Sequence, residues 1–251
     1  MNDGTHMVVY GKQPVREALF SDHPIIQLIL AREMPPKERD LFQRLAGQRR
    51  IPVELRTKGE LQRYCGPVLH QGIAALMEPY RYADEDRLWQ KIDQIENPLL
   101  LILDQIQDPH NLGAILRTAE VVGVSGVVLP SRGSAEVNAT VAKTSSGAIF
   151  HLTICRTDNM NAFFDTIRHK KLLLVALSPG RPDTIYGFDM DRPMAVIIGS
   201  EGKGVRKNLQ NLADKTLSIP QKGKMGSLNA STSTAVILFE IFRQREFGSR
   251  K

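Results

Sequence analysis

Hydrophobic residues along the chain form short uninterrupted runs that alternate with longer segments of helical periodicity. The run 99–103 is apolar throughout, which is typical of a strand buried on both faces of a parallel sheet. The segment 112–122 then repeats apolar residues at helical spacing. Further strands are predicted at 126–129, 171–177, 194–198 and 215–219. This alternation predicts an α/β fold with a mainly parallel sheet flanked by helices.

The first 78 residues repeat the alternation on a smaller scale. Short apolar segments predict strands, and amphipathic segments predict helices between them. The stretch 78–86 is polar, charged and carries Pro79, as is typical of a linker between domains. We therefore expect a small N-terminal α/β domain at 1–78, a linker at 79–97 and a larger α/β domain at 98–251.

The composition indicates a globular protein with a moderate preference for an acidic partner. The chain has 251 residues, 42% of them hydrophobic, and no apolar run reaches the roughly 18 residues of a membrane-spanning helix. A net charge of +6 fits a polyanionic partner, although a generic basic protein has a similar value. Cys65 and Cys155 lack the spacing of metal ligands. The sequence leaves a disulfide between them open, but favours a reduced, cytoplasmic protein with no metal and no membrane contact.

Three polar loops follow predicted strands, at 104–111, 199–204 and 220–231. Ligands of open parallel sheets bind beyond the carboxyl ends of the strands, so we expect these loops to converge. The glycine-rich loop 199–204 fails the P-loop pattern, because Lys203 is followed by Gly204 rather than by Ser or Thr. No Rossmann glycine pattern follows a strand either. The alternative to a ligand site, for each loop taken alone, is an ordinary connection between a strand and a helix.

Two charged residues occur where a charge is unexpected. Arg117 interrupts an otherwise apolar helical segment, so it should be paired with an acid or bound to a ligand; a structural salt bridge is the alternative to a functional role. Glu201 lies among three glycines, where the alternative is a flexible turn with a solvated carboxylate. Asn111 and Arg117 are six residues apart, which is roughly 1.7 turns of a helix. If Asn111 caps the helix that follows it, the side chains of Asn111 and Arg117 therefore project from different sides of that helix.

Taken together, three motifs in this order resemble those of the SpoU (TrmH-type) 2′-O-ribose methyltransferases of the SPOUT class. The motifs are DPHNLGAILRTA at 108–119, IIGSEGKG at 197–204, and LSIP at 217–220 with GSLNAS at 226–231. The N-terminal residues YG at 10–11 and HQGI at 70–73 are similar to the RNA-binding domain of the subgroup that methylates guanosine in 23S rRNA. The resemblance covers nearly the full chain.

The resemblance implies a C-terminal trefoil-knotted SPOUT domain, a rare exception to unthreaded topology, and a small N-terminal ribosomal-protein-L30e-like domain that binds RNA. It implies that S-adenosylmethionine is held by backbone groups at Gly199, Ile219 and Leu228. The side chains implied to face the ribose and the transferred methyl group are those of Asn111, Arg117, Glu201, Ser227 and Asn229. A homodimer is also implied.

The implied reaction is S-adenosylmethionine-dependent 2′-O-methylation of a ribose in RNA, a guanosine of 23S rRNA by the subgroup resemblance. The 2′-hydroxyl must lose a proton as it attacks the methyl group. In the family, the arginine at the position of Arg117 is often given the role of the base that accepts this proton. A guanidinium stays protonated up to about pH 12, so Arg117 could instead hold the neighbouring phosphate. A desolvated, deprotonated Arg117 is the alternative.

Other functions fit the same residues. Within the same class, the alternatives are 2′-O-methylation of tRNA and an rRNA methylation that confers resistance. A non-catalytic ribosome-assembly factor with the same fold belongs to a different class, and the presence of every matched polar residue argues against it. A basic α/β protein that binds another ligand at these loops is the least specific interpretation.

Overall fold

Ten strands and nine α-helices are present in the described residues, 6–200, 204–223 and 228–248, of this computed structural model. The elements up to residue 92 are β1 (Met7–Tyr10), α1 (Lys12–Phe20), β2 (Ile25–Ala31), α2 (Pro36–Gln48), β3 (Val53–Arg56), α3 (Lys58–Cys65), β4 (Ile73–Met77) and α4 (Glu85–Ile92). Those that follow are β5 (Leu99–Asp104), α5 (Pro109–Val121), β6 (Gly126–Pro130), α6 (Ala139–Thr144), β7 (Ile154–Thr157), α7 (Met160–His169), β8 (Leu173–Leu177), β9 (Met194–Gly199), α8 (Lys207–Gln210), β10 (Lys215–Leu217) and α9 (Ala230–Phe247).

The first compact unit takes in Met1–Arg81 and Val137–His151. Its four-stranded sheet has the order β1-β4-β2-β3, with β4 antiparallel to both neighbours and β2 parallel to β3. The side chains of Ile29, Leu61 and Ala74 lie in one buried cluster of this unit. The predicted N-terminal domain, 1–78, leaves out the segment Val137–His151, which the structure places in this unit. Helix α6 of that segment packs against β1.

The second unit, Tyr82–Glu136 and Leu152–Lys251, contains a six-stranded sheet in the order β10-β8-β9-β5-β6-β7. Every neighbouring pair in it is parallel, which confirms the α/β fold with a mainly parallel sheet. All six residues of β5 are buried, as its uninterrupted apolar run predicts. Because the strands are parallel, their carboxyl ends lie along one edge of the sheet.

The strand order reverses beside β5. From β5 the chain adds β6 and β7 on one side, then crosses to β8 on the other side and returns to place β9 between β8 and β5. Asp104 and Gly199 are paired at the carboxyl ends of β5 and β9. In open α/β sheets a ligand crevice lies where the order reverses, so the topology marks this pair as the place to search for a site.

Two helices of the second unit begin with side-chain caps next to that crevice. Asp108 caps α5 by accepting hydrogen bonds from the backbone N–H groups of His110 and Asn111, and Pro109 occupies the first helical position. Asn229 caps α9 through Ser231 and Thr232. Helices α5 and α9 pack against each other. No helix in the described part of the chain is both long enough and apolar enough to cross a membrane.

Candidate functional site

A cavity of about 150 Å³ lies at the carboxyl edge of the parallel sheet, and we call it the glycine cavity. It is lined by the three residues Gly199, Ile219 and Leu228 that the sequence analysis selected for the cofactor. Apolar side chains supply much of its wall, and a cavity of this size accommodates an aromatic ring. The structure therefore brings the three residues into one cavity, while their role in binding a cofactor stays a prediction.

Gly199 is required by the shape of the cavity wall. A Cβ atom at this position would lie 1.9 Å from the carbonyl carbon of Gly204 and 2.0 Å from the nitrogen of Val205. Those atoms belong to the backbone, so no rotamer change relieves the overlap. The backbone turns back on itself here, with the Gly204 N–H donating to the Ser200 carbonyl oxygen at 2.9 Å. Glu201, between them, lies outside the described residues.

A second cavity of about 250 Å³ shares Ser200 and Ala230 with the glycine cavity. We call it the asparagine cavity, because Asn111 lines it together with residues 105–108. Loops 104–111, 199–204 and 220–231 thus all contribute described residues to this pair of neighbouring cavities, which agrees with the predicted convergence.

Asn111 and Asn229 are hydrogen-bonded to each other beside these cavities. The Asn229 Nδ2 donates to Asn111 Oδ1 at 3.0 Å. The Asn229 Oδ1 accepts from the backbone N–H of Ser231 at 2.7 Å, so helix capping fixes which end of the amide faces Asn111. The condition that Asn111 caps α5 is not met, because Asp108 holds that position and Asn111 lies inside the first turn.

Arg117 lies apart from the two asparagines. It is exposed on α5, with no hydrogen bond or ion pair to any residue that the structure describes, so the structural salt bridge is not found there. Six residues separate it from Asn111, which is roughly 9 Å along a helix. It lines neither cavity. Ser227, the remaining predicted side chain, lies outside the described residues.

Sequence reasoning missed the contribution of β8. Leu177, Ser178 and Pro179 line the glycine cavity from the end of that strand. The signal was available, because a polar turn follows β8 at the same edge of the sheet as the three selected loops. It also missed an ion pair at the carboxyl end of β5, where the guanidinium of Arg206 binds the buried carboxylate of Asp104.

Comparison with known proteins gives two family matches that divide the chain in the same order. The model of the SpoU rRNA methylase family matches residues 98–239. A second model, RNA 2′-O ribose methyltransferase substrate binding, matches residues 8–83. The chain is also similar to a TrmH family tRNA/rRNA methyltransferase homologue of Staphylococcus aureus (strain COL), at 35% identity over 95% of this chain and 96% of the relative. The Bacillus subtilis (strain 168) homologue YacO is 34% identical over 96% of each chain.

Solved structures of the same type resemble the fold. The SpoU methyltransferase AviRb of Streptomyces viridochromogenes, in complex with the cofactor AdoMet, has a TM-score of 0.82 at 25% identity, over 98% of this chain and 92% of that chain. The A. aeolicus TrmH/SpoU tRNA modifying enzyme has a TM-score of 0.54 at 28% identity, over 65% of this chain and 84% of that chain. The family model covers more than half of the sequence and contains both the glycine turn and the paired asparagines, so this chain belongs to the SpoU rRNA methylase family of RNA methyltransferases.

Proposed function

We propose that the protein transfers a methyl group from S-adenosylmethionine to the ribose 2′-oxygen of a guanosine in 23S rRNA. The observation that carries this proposal is the pair of neighbouring cavities, one lined by Gly199, Ile219 and Leu228 and the other by Asn111. Such a pair can hold a methyl donor and an acceptor ribose side by side. Family membership and the AdoMet-bound relative AviRb support the choice of donor.

The residues of the glycine cavity fit S-adenosylmethionine. Its apolar wall suits the adenine ring, and the backbone of Gly199, which lines the cavity, can hydrogen-bond a nucleoside. The absence of a Cβ at Gly199 lets the backbone of Gly204 and Val205 pack directly against it. The cofactor supplies an electrophilic methyl group on a sulfonium. The protein supplies position, which accounts for much of the rate in reactions of this kind.

At the asparagine cavity, Asn111 and its hydrogen-bonded neighbour Asn229 provide a polar surface for the acceptor ribose. The Asn229 amide is fixed through its Oδ1, which caps α9, and its Nδ2 donates to Asn111 Oδ1, so a hydroxyl that binds this pair is held in one orientation. Glu201 and Ser227 remain predicted members of this site. Their proposed contacts with the ribose rest on the family resemblance.

We infer that Arg117 holds an RNA phosphate rather than acting as a base. Its guanidinium is exposed, and an exposed guanidinium keeps its proton at neutral pH. Arg117→Lys keeps the charge but loses the planar two-pronged contact, so RNA binding should persist while turnover falls. Single-turnover methylation at the wild-type rate in Arg117→Lys would remove Arg117 from the reaction.

A homodimer would cover an apolar face of the second unit. Val121 at the end of α5 is 61% exposed, and Phe239 and Phe247 on α9 are 49% and 75% exposed. Arg117 lies one turn before Val121 on the same side of α5, so it would face the second copy. Sedimentation equilibrium should give a dimer for the wild type and a monomer for Phe239→Asp. A wild-type monomer would contradict this part of the proposal.

A trefoil knot is proposed for the second unit. The connection between β8 and β9 binds the chain on both sides of the 220–231 loop: the Ser218 N–H donates to Asp183, and the Gln244 side chain binds the backbone of Phe188 and Met190. These contacts support a chain that passes through that connection before forming α9. We likewise propose that the first unit is a ribosomal-protein-L30e-like domain that selects the RNA, in line with the family model that matches residues 8–83.

The decisive experiment compares RNA methylation with and without the protein. Purified protein with radiolabelled S-adenosylmethionine should label protein-free 23S rRNA, and 2′-O-methylation mapping should find one guanosine that loses its methyl group when the gene is deleted. Labelling of tRNA instead would move the substrate to that RNA. If calorimetric titration shows no S-adenosylmethionine binding and no RNA changes, the non-catalytic assembly factor is correct.

A further inference from the structure

A third cavity, of about 620 Å³, lies in the second unit at the carboxyl ends of β6 and β7. We call it the arginine cavity, because Arg132 and Arg206 line it. Most of its other polar lining consists of neutral groups, among them Asn159, Asn161 and Asn208. It shares no lining residue with the glycine and asparagine cavities, so nothing argued so far uses it.

Both arginines present unused hydrogen-bond donors. Arg132 is exposed and has no hydrogen bond or ion pair among the described residues. Arg206 binds Asp104 through its backbone N–H and its Nε, both at 2.8 Å, which leaves its two terminal nitrogens without a partner in the described chain. The tether to Asp104 holds the Arg206 guanidinium in place before a ligand arrives, so less freedom is lost on binding.

The charge in this cavity favours an anion. Of the ionisable residues that line it, two are arginines and one is a carboxylate, the exposed Asp158. The amino end of α7, capped by Asn159, opens on the same space and adds partial positive charge. Two guanidiniums and several amide donors suit a phosphodiester, because a planar guanidinium can donate two parallel hydrogen bonds to its charged oxygens.

The arginine cavity is continuous in sequence with the proposed methylation site. Gly204 lines the glycine cavity, and Arg206, Asn208 and Leu209 line the arginine cavity. Two residues span at most roughly 7 Å, so the two cavities open on neighbouring parts of the same sheet edge. A strand of RNA with one ribose in the asparagine cavity would have its backbone close to Arg206.

We propose that the arginine cavity binds a backbone phosphate of the RNA strand that flanks the methylated nucleotide. This inference rests on the proposed function, because it takes the occupant to be the same RNA. Contacts with phosphates fix the register of a nucleic acid on a protein without reading its bases. The cavity would therefore set which nucleotide reaches the asparagine cavity and would not select its base.

The test uses the full-length protein, the variant Arg132→Gln and the control Lys215→Gln. Lys215 is exposed at the first residue of β10, so it lies at the opposite, amino edge of the sheet, and its change removes the same charge. The probe is a short fluorescein-labelled oligouridylate, made once with phosphodiesters and once with neutral methylphosphonates. It carries the backbone without a target base.

Arg132→Gln should weaken binding of the phosphodiester probe by about tenfold and reduce the slope of log K against log salt by about 0.7, the value for one phosphate contact in a single strand. Lys215→Gln should bind as the wild type does. All three proteins should bind the methylphosphonate probe equally weakly. Wild-type affinity in Arg132→Gln, or an equal loss with the neutral probe, would overturn the inference.

The same variants separate this inference from the proposed function. If the protein binds S-adenosylmethionine and methylates RNA while Arg132→Gln behaves as the wild type, only the phosphate site is wrong. If no variant binds S-adenosylmethionine, the proposed reaction fails whatever the probe shows. With both correct, Arg132→Gln should raise the KM for RNA while the kcat and the affinity for S-adenosylmethionine stay unchanged.

Discussion

Arg206 binds the carboxylate of Asp104 with two groups: its Nε donates to Oδ1 and its backbone N–H donates to Oδ2, each at 2.8 Å. Asp104 ends β5 and has no exposed surface, whereas Arg206 follows the turn that closes the glycine cavity. One carboxylate therefore joins the central strand to the segment after β9. Since Gly204 lies two residues before Arg206, this pair helps to fix the cavity wall.

We expect Asp104→Asn to destabilise the second unit by about 1–3 kcal/mol, because an amide presents an N–H group to one of two donors in a buried place. S-adenosylmethionine should also bind less tightly, since the wall loses its anchor. Urea unfolding and calorimetric titration measure the two effects. The control is Asp165→Asn, whose ion pair with Arg168 is exposed and should contribute at most about 1 kcal/mol. Equal stabilities for the two variants would show that the buried pair does not hold the wall.

Gly199→Ala tests the shape of the glycine cavity directly. The new Cβ would overlap the backbone of Gly204, so the turn must move, at a cost of about 1–3 kcal/mol typical of overpacking. The affinity for S-adenosylmethionine should fall by more than about tenfold, which corresponds to 1.4 kcal/mol. In the control Gly187→Ala, the nearest atom to the new Cβ is 3.9 Å away, and binding should be unchanged. Tight binding by Gly199→Ala would place the cofactor elsewhere.

Asn229 has two roles that a pair of substitutions can separate. Asn229→Asp keeps an oxygen to cap α9 but loses the Nδ2 that donates to Asn111, so stability should stay near that of the wild type while methylation falls. Asn229→Ala loses both interactions and should also destabilise the protein by about 1 kcal/mol. Single-turnover methylation and thermal unfolding report the two effects. Full activity in Asn229→Asp would mean that the contact with Asn111 is only structural.

The sequence predicted the parts of the fold that carry a local periodic signal. The buried strands β5 and β9 are apolar runs and were found, whereas β7 (Ile154–Thr157) was missed because two of its four residues are Arg and Thr. The predicted strand at 215–219 is shorter in the structure, since β10 ends at Leu217. A strand was therefore predicted where its residues form an apolar run, and it was missed or misplaced where the run is short or polar.

The candidate site was predictable only where topology or resemblance supplied what periodicity lacks. The parallel sheet alone implied that the loops converge. The pairing of Asp104 with Arg206 joins residues 102 positions apart, and neither has a pattern that marks it. The sequence analysis considered Asn111 as a possible cap of α5, but Asp108 before Pro109 caps that helix by accepting from the N–H groups of His110 and Asn111.

His70 in the first unit gives a prediction about pH. The ring is 7% exposed, and its Nδ1 accepts a hydrogen bond from the Gly72 N–H at 3.1 Å. Burial, with a smaller contribution from the nearby Lys58, lowers the pKa of His70 below its ordinary value. The folded state thus favours the neutral ring. Stability from this group is complete above the unfolded pKa of about 6.5 and is lost as the pH falls from there towards the folded pKa.

An NMR titration should therefore place the pKa of His70 below the ordinary histidine value of about 6.5. The hydrogen-exchange protection of the Gly72 amide should fall as His70 gains its proton, because a protonated Nδ1 cannot accept that hydrogen bond. In His70→Gln the protection of Gly72 should be lower at neutral pH and should lose this pH dependence, whereas His169→Gln should behave as the wild type. An ordinary pKa for His70, together with constant protection of Gly72, would show that the ring does not hold this turn.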